Sequence, residues 1–404
     1  MKKLRILQIN KFHFLKGGSE RHVFDVSKKL KEAGHEVIHF SMEDSRNIIS
    51  KRDERKYFIK KIDFNKFSIK NIIKLFYNYD AVKKLETIIG KEKPDIVHLH
   101  NFAHHFSTSI LSVVKKNKIP MVHTLHDYKM ICPNYKLFSR GQICTKCKGG
   151  KYYHCVARKC MKNSYLKSLL ASLEAYYVRI FKFYDKIDFF IAPSEYMKEQ
   201  YIKFGYPQDR IKVLYNFIDV PELRDREVME REDYLLYFGR LSSEKGLDLL
   251  IESILKLDNG KMKLKIAGLG PEHGRLLQKI EKLNLNNRVE LLGFKTGEEL
   301  TDFVDNALAI VIPSIWPENM PYSLLEAMAK EKVVIVSRVG GMSELITGEN
   351  GIVFDSGSSS DFINKINALN KIDRVQMGKK AQKSVLKLSG KNYLEKLLEI
   401  YYSL

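Results

Sequence analysis

The sequence predicts an α/β protein made of two doubly wound, Rossmann-like domains, each a parallel sheet covered by helices on both faces. Three observations carry this prediction. Short apolar runs alternate with longer helical patterns through the first half, the rhythm of repeated βα units. The second half repeats the rhythm. The 404 residues are 44% hydrophobic and 29% charged with only 10 Pro and 23 Gly, which suffices for two cores and excludes disordered, collagenous and low-complexity chains.

In the first half the expected strands are Leu4 to Ile9, Glu36 to Phe40, Ile96 to Leu99, Met121 to Leu125 and Phe189 to Ala192, with strand-like Lys212 to Leu214 closing the domain. The second half offers Tyr234 to Phe238, Lys263 to Ala267, Val289 to Leu292, Ala309 to Ile312, Val333 to Ser337 and Gly351 to Phe354, separated by helical stretches such as Gly246 to Lys256. A linker is expected within Val213 to Arg231, where Asn216, Asp219, Pro221 and a mixed charge run interrupt the pattern. The expected organisation is a first domain over 1–215, a second over 216–385, and a closing amphipathic helix over 386–404 that can cross back to the first domain.

Charge is divided unevenly. Residues 1 to 220 hold 43 Lys/Arg against 21 Asp/Glu, and residues 221 to 404 hold 26 against 27. A basic half beside a neutral half suggests that the first meets a polyanion or an anionic membrane and the second something small, although lysine-rich surfaces also arise as ordinary solvated faces. The N-terminal residues lack the apolar run of a signal peptide, and no window approaches about 18 uninterrupted apolar residues. The expectation is a cytoplasmic protein, or one peripheral on the inner face of the cell membrane.

In doubly wound folds ligands bind beyond the carboxyl ends of strands, so the chemistry should lie just after them. After the first strand stand Gly17 and Gly18, a glycine pair before a helix that lets a phosphate or sugar approach backbone N–H groups, or simply makes a tight turn. The G-x-G-x-x-G dinucleotide spacing is absent, which disfavours a nicotinamide or flavin cofactor. After the fourth strand comes His126, placed to donate to a hydroxyl or phosphate oxygen with Asp127 to orient it, while His98 and His100 read as structural. At the second domain's first strand end, Arg240 and Lys245 leave opposite ends of a short loop before a helix and can hold one diphosphate.

The most specific stretch runs from Pro313 to Ala329. Pro321 suits a first helical turn, which leaves Glu318 to Met320 as a loop whose amides can meet a ligand. Glu318 is expected to reach a sugar, with the amides of Asn319 and Met320. Glu326, inside the helix among Leu324, Leu325, Ala327 and Met328, is expected as a nearly buried carboxylate able to accept two ribose hydroxyls.

These residues together resemble glycosyltransferase family 4, whose hallmark is E-x7-E in this context. The resemblance spans nearly the whole chain: the Gly17-Gly18 turn, His126, Gly239-Arg240 to Lys245-Gly246, Ala267 to Glu272, Glu318 and Glu326, and Val339-Gly340-Gly341-Met342-Ser343-Glu344. It implies a GT-B fold, two Rossmann-like domains facing each other across a cleft, and a retaining transferase. The donor, a UDP- or GDP-sugar, would be held by the second domain, and a glycan or lipid-linked acceptor of cell-surface polysaccharide synthesis by the first. Arg240 and Lys245 would hold the donor diphosphate, Glu326 the ribose, and Glu318 with Asn319 and Met320 the donor sugar. Gly18 would lie near the phosphates and His126 near the transferred sugar. Asn216-Phe217-Ile218-Asp219 departs from the family, which often has Gly in second place. No D-x-D occurs, which matches a metal-independent mechanism needing no cofactor. The rival reading is a non-catalytic nucleic-acid or membrane-lipid binding protein on the same scaffold; the intact Arg240, Lys245, Glu318 and Glu326 argue against it, and no nucleic acid is expected.

Two features stand apart. Cys132, Cys144, Cys147, Cys155 and Cys160 fall in one insertion over 130–162. Cys144, Cys147, Cys155 and Cys160 can make a structural zinc site, and free thiols or a disulfide are the alternatives. Residues 51 to 84 carry eleven Lys/Arg interleaved with Tyr57, Phe58, Phe64, Phe67, Phe76, Tyr77 and Tyr79. That composition suits an anionic membrane surface, single-stranded nucleic acid, or amphipathic helices packed on the sheet.

Overall fold

The computed structural model describes residues 2–48, 54–63, 68–220, 233–257 and 262–404. The chain divides into two compact units, the first comprising Met1–Ser139, Ile143–Tyr215 and Gly390–Leu404, the second Arg140–Gln142 and Asn216–Ser389.

The first unit is built on strands β1 (Arg5–Ile9), β2 (Glu36–Phe40), β3 (Ile96–Leu99), β4 (Met121–Thr124), β5 (Phe189–Ala192) and β6 (Ile211–Val213). They form one parallel sheet in the order β2-β1-β3-β4-β5-β6, with Ile6 opposite both Val37 and Ile96. All four residues of β3 and of β4 are buried, because helices cover both faces. That is why these strands read as continuous apolar runs rather than alternating ones. The polar exceptions, Gln8, His39, His98 and His123, are also buried, so each needs an internal partner.

The second unit carries β7 (Tyr234–Phe238), β8 (Lys263–Ala267), β9 (Val289–Gly293), β10 (Ala309–Ile312), β11 (Val334–Ser337) and β12 (Ile352–Phe354). Its parallel order is β9-β8-β7-β10-β11-β12, so the winding reverses between β7 and β10. Its core joins Leu235, Ile266, Val311 and Ile335 of the sheet to Leu250, Ile254 and Phe362 of the covering helices. The reversal leaves a crevice at the carboxyl ends of β7 and β10, the usual ligand position in such sheets.

The sequence-predicted strands coincide with these twelve to within one residue at each end. The closing helix, Gly390–Tyr402, is grouped with the first unit and packs on the helix Gly18–Glu32. Part of the expected linker, residues 221–231, lies outside the described residues, as do Lys51, Arg52, Phe64, Lys66 and Phe67 of the basic segment. Within that segment the helix Tyr79–Glu92 buries Ala81, Leu85 and Ile88, an ordinary core-facing pattern. The helix Ile69–Phe76 instead buries only Leu75.

Candidate active site

In the second unit the loops after β7 and β10 are brought together by a glycine. Gly246 follows the short 3-10 turn Ser243–Lys245 in the left-handed region (φ 71°), and a Cβ there would collide with the carbonyl oxygen of Pro313. The close approach lets the Ile315 N–H donate to the Glu244 carbonyl (3.0 Å). It also sets the Lys245 ammonium against Glu318, and the two form an ion pair through Oε1. The Ser314 hydroxyl donates to the same oxygen at 2.6 Å. Glu318 is only 6% exposed, so its charge depends on this cation and this hydroxyl.

A second glycine turn holds the Glu318 backbone. Gly340 has φ 64°, and a Cβ would collide with the Glu318 main chain; the next amide, Gly341 N–H, donates to the Glu318 carbonyl at 2.7 Å. Met320 is buried, and its carbonyl accepts from Asn216 Nδ2 at 2.8 Å. Among the described residues nothing accepts from the Met320 N–H. Asn319 is half-buried beside it. Arg240 is exposed, has no ion-pair partner among the described residues, and is held through its carbonyl by the Tyr237 hydroxyl (2.9 Å).

Glu326 departs from expectation. It lies in the helix Tyr322–Ala329 and is half-buried, whereas Glu318 is the buried carboxylate. At helical spacing Leu324, Leu325, Ala327 and Met328 all turn inward and leave Ser323, Glu326 and Lys330 on the other face. Pro321 caps this helix rather than entering its first turn.

In the first unit Gly17 is the extended N-cap of the helix Gly18–Glu32, whose amino end carries partial positive charge. Glu20, 3% exposed, sits in that first turn beside Gly17. Burial raises its pKa, opposed by the Lys11 charge and by hydrogen bonds with Ser19 and Asn10.

His126 belongs to a ring cluster. Its Nε2 meets His100 Nδ1 at 2.9 Å, and His100 Nε2 meets Gln8 Oε1 at 2.5 Å. The His22 ring lies edge-on to His126 with centroids 5.2 Å apart, and His22 Nε2 meets the Tyr393 hydroxyl at 3.1 Å. His98 joins Thr124 Oγ1 (2.7 Å) to the Tyr401 hydroxyl (2.6 Å). Burial holds the pKa values of His22, His98, His100 and His126 far below that of a free imidazole, and the neighbouring rings add to this for the last three. His126 is therefore a neutral hydrogen-bonding group at physiological pH.

The structure gives His126 a different orienting partner from the one its sequence neighbour suggested. Asp127 Oδ1 accepts the Lys129 N–H at 2.8 Å, a local turn, and His100 holds the His126 ring. Burial raises the Asp127 pKa, partly offset by that amide and by Lys11 and Lys129. Sequence reading passed over Ser314, Glu20 and the partners His22 and Tyr393, and read His100 as structural without pairing it to His126. Ser314 had a detectable signal, as it stands two residues past the end of β10; Tyr393, 267 residues from His126, had none.

Cys144, Cys147, Cys155 and Cys160 of the zinc expectation line one small cavity together with Cys132, and none of the five is in a disulfide.

A two-unit architecture of parallel, doubly wound sheets, with a cation and a carboxylate paired at a switch point, is that of a GT-B glycosyltransferase. Residues 16–222 match the family described as Glycosyltransferase Family 4, and residues 219–384 match Glycosyl transferases group 1. The chain belongs to glycosyltransferase family 4 and is a glycosyltransferase. It is 30% identical over 270 residues to an uncharacterized 42.6 kDa protein in the cps region of Klebsiella pneumoniae, covering 67% of this chain and just under two thirds, 64%, of that protein. It is 27% identical to an uncharacterized glycosyltransferase of Methanocaldococcus jannaschii over 83% of this chain and 80% of the relative. HepE of Anabaena, solved in complex with UDP-glucose, superposes with a TM-score of 0.69 at 18% identity, over 99% of this chain and all of that one.

Proposed function

We propose that the protein transfers a sugar from a UDP- or GDP-sugar to a glycan or lipid-linked acceptor in cell-surface polysaccharide synthesis, with retention of configuration and without a metal ion. The carrying observation is the Lys245–Glu318–Ser314 cluster at the switch point, backed by the Gly340-Gly341 turn. The cps-region relative and the UDP-glucose complex of HepE support the acceptor class and the donor class.

In this reading the bond from the sugar C1 to the diphosphate oxygen breaks, and negative charge grows on the leaving diphosphate. Arg240 and Lys245 stabilise that charge, the role a divalent cation plays in other transferases. The bond from C1 to the acceptor oxygen forms on the same face, and the acceptor proton passes to the leaving phosphate oxygen. Glu318, with the Asn319 and Met320 amides, orients the donor sugar, and Glu326 accepts the ribose hydroxyls. The Gly17-Gly18 turn serves the phosphates. A neutral His126 hydrogen-bonds the transferred sugar without adding a second cation.

The first unit is proposed to rest on an anionic membrane. The helices Ile69–Phe76 and Tyr165–Ile180 pack together through Phe76 and Tyr177 (centroids 5.4 Å) and leave Ile69, Ile73, Leu166, Leu169 and Ile180 exposed beside Lys70 and Lys74. Apolar residues flanked by lysines suit the headgroup layer. Co-sedimentation with anionic vesicles at low salt is the expected result; its absence defeats the membrane proposal.

The donor proposal is tested by thermal shift and donor hydrolysis with UDP-, GDP-, ADP- and TDP-sugars in the presence of EDTA. Stabilisation by a UDP- or GDP-sugar is expected. Dependence on added metal would overturn metal independence, and an inverted anomeric product, read by NMR, would overturn retention.

A further inference from the structure

The loop that follows β4 and His126 is poor in regular structure. From Lys129 to Asn163 it has a hairpin of two-residue strands (Phe138–Ser139 and Gln142–Ile143), a 3-10 turn and the five-residue helix Tyr153–Ala157. Tyr135, Leu137, Arg140, Lys159, Lys162 and Asn163 all take positive φ without being glycine. Its own apolar cluster is small: Cys147, Tyr152 and Cys155, with Cys160, Met161, Ala175 and Tyr176 against them. A segment this irregular, with so small a core, needs another source of stability.

All five cysteines line a small cavity of about 10 Å³, room for one water-sized particle. Cys144 and Cys147 form a C-x2-C turn followed by Gly149 at φ 73°. The Cys147 sulfur accepts a backbone N–H from Cys155, and the thiols of Cys155 and Cys160 are in hydrogen-bond contact with each other. Two pairs of thiols thus bound the cavity. Cys132 stands outside these two pairs: its S–H donates to Asn134 Oδ1 at 2.9 Å.

We propose that Cys144, Cys147, Cys155 and Cys160 bind one zinc-class divalent cation, with Cys132 as a protonated wall of the site. Four soft sulfur ligands select such an ion, and the cavity's size favours a single ion over an iron–sulfur cluster. Binding replaces the four thiol protons with the metal and draws the sulfurs inward. That contraction is required, because among the described residues the one group with three candidate ligand atoms within 4.8 Å is His13, His39 and Glu54. In that group His39 is already engaged at both nitrogens, by Glu54 (2.9 Å) and Ser27 (3.1 Å). The metal would brace the His126 side of the first unit, since the Tyr128 N–H donates to the Tyr135 carbonyl and the Cys132 N–H to the Tyr128 carbonyl.

The test is metal analysis of the full chain purified under reducing conditions from zinc-replete medium, followed by cobalt substitution. About one zinc per chain and a thiolate-to-cobalt charge-transfer band are expected. Cys147→Ser should lose the metal and Cys132→Ser should keep it. If Cys147→Ser does not fold, chelator titration of the wild-type protein, with release of four reactive thiols per zinc removed, carries the same test. Three results overturn the proposal: metal-free protein that takes up no cobalt into thiolate coordination, disulfides among these cysteines by mass spectrometry, or a bound metal without the thiolate band, which would place it at His13, His39 and Glu54. Loss of metal in Cys132→Ser with retention in Cys155→Ser would overturn the ligand set.

Discussion

Lys245 has two duties that a single substitution can separate. It faces the proposed diphosphate, and it neutralises Glu318, a carboxylate with almost no access to water. Lys245→Ala should lower turnover by about 10²–10³-fold. It should also destabilise the second unit by roughly 1–3 kcal/mol, because Glu318 keeps only the Ser314 hydroxyl. Lys245→Gln, which still donates to Glu318, should recover most of the melting temperature and little of the turnover; recovery of both would remove Lys245 from the chemistry. Gly340 makes a backbone case. Gly340→Ala puts a Cβ into the Glu318 main chain at φ 64°, so a loss of roughly 1–3 kcal/mol and weaker donor binding are expected by calorimetry. The residue types at these positions were readable in the sequence, but the burial of the two glutamates was not. The exposure of Glu326 is set by how packing rotates the helix Tyr322–Ala329, and the burial of Glu318, in the loop before it, by Lys245 and Ser314.

The closing helix Gly390–Tyr402 shows what an element contributes beyond its own amphipathicity. Its Tyr393 and Tyr401 hydroxyls reach His22 and His98, so a segment at the end of the chain completes hydrogen bonds of strands and helices from its beginning. Tyr401→Phe leaves the fully buried His98 without its 2.6 Å partner, and a loss of about 1–2 kcal/mol is expected from denaturant unfolding. Turnover should change little; a loss of turnover larger than the loss of stability would tie His98 to catalysis. The strands were legible because a parallel strand buried on both faces must be a short apolar run bounded by polar turns. The irregular segment from Lys129 to Asn163 carries no such periodicity, and its course is set by turns and cysteines.

At the scale of the molecule, histidines make the first unit acid-labile. Burial depresses the pKa of His13 and His123 to about 4 and of His22 and His105 to about 3, and lowers those of His98, His100, His104 and His126 as well. A depressed folded pKa means that the unfolded chain binds protons first. The stability is therefore whole above the free value of 6.5 and is lost as pH falls from there toward 4 and below. At pH 5.5 each of His13, His22, His105 and His123 costs about 1 kcal/mol. Glu20, Asp127 and Glu174, whose pKa values burial raises, act in the opposite sense and recover part of the loss. The melting temperature should fall between pH 7 and 5, with the first unit unfolding first in calorimetry; a flat profile would mean that these rings are solvated.

The sequence by itself determined the two doubly wound sheets, the strand-end positions of Gly17, His126, Arg240, Lys245 and Glu318, and the family, because periodicity and motif order are properties of neighbours along the chain. Only the tertiary structure decided that Glu318 is paired and buried while Glu326 is half-exposed, that His100 rather than Asp127 holds His126, and that Cys132 shares a cavity with four other thiols. Each of those depends on side chains that meet through folding, where packing and desolvation set charge and partner.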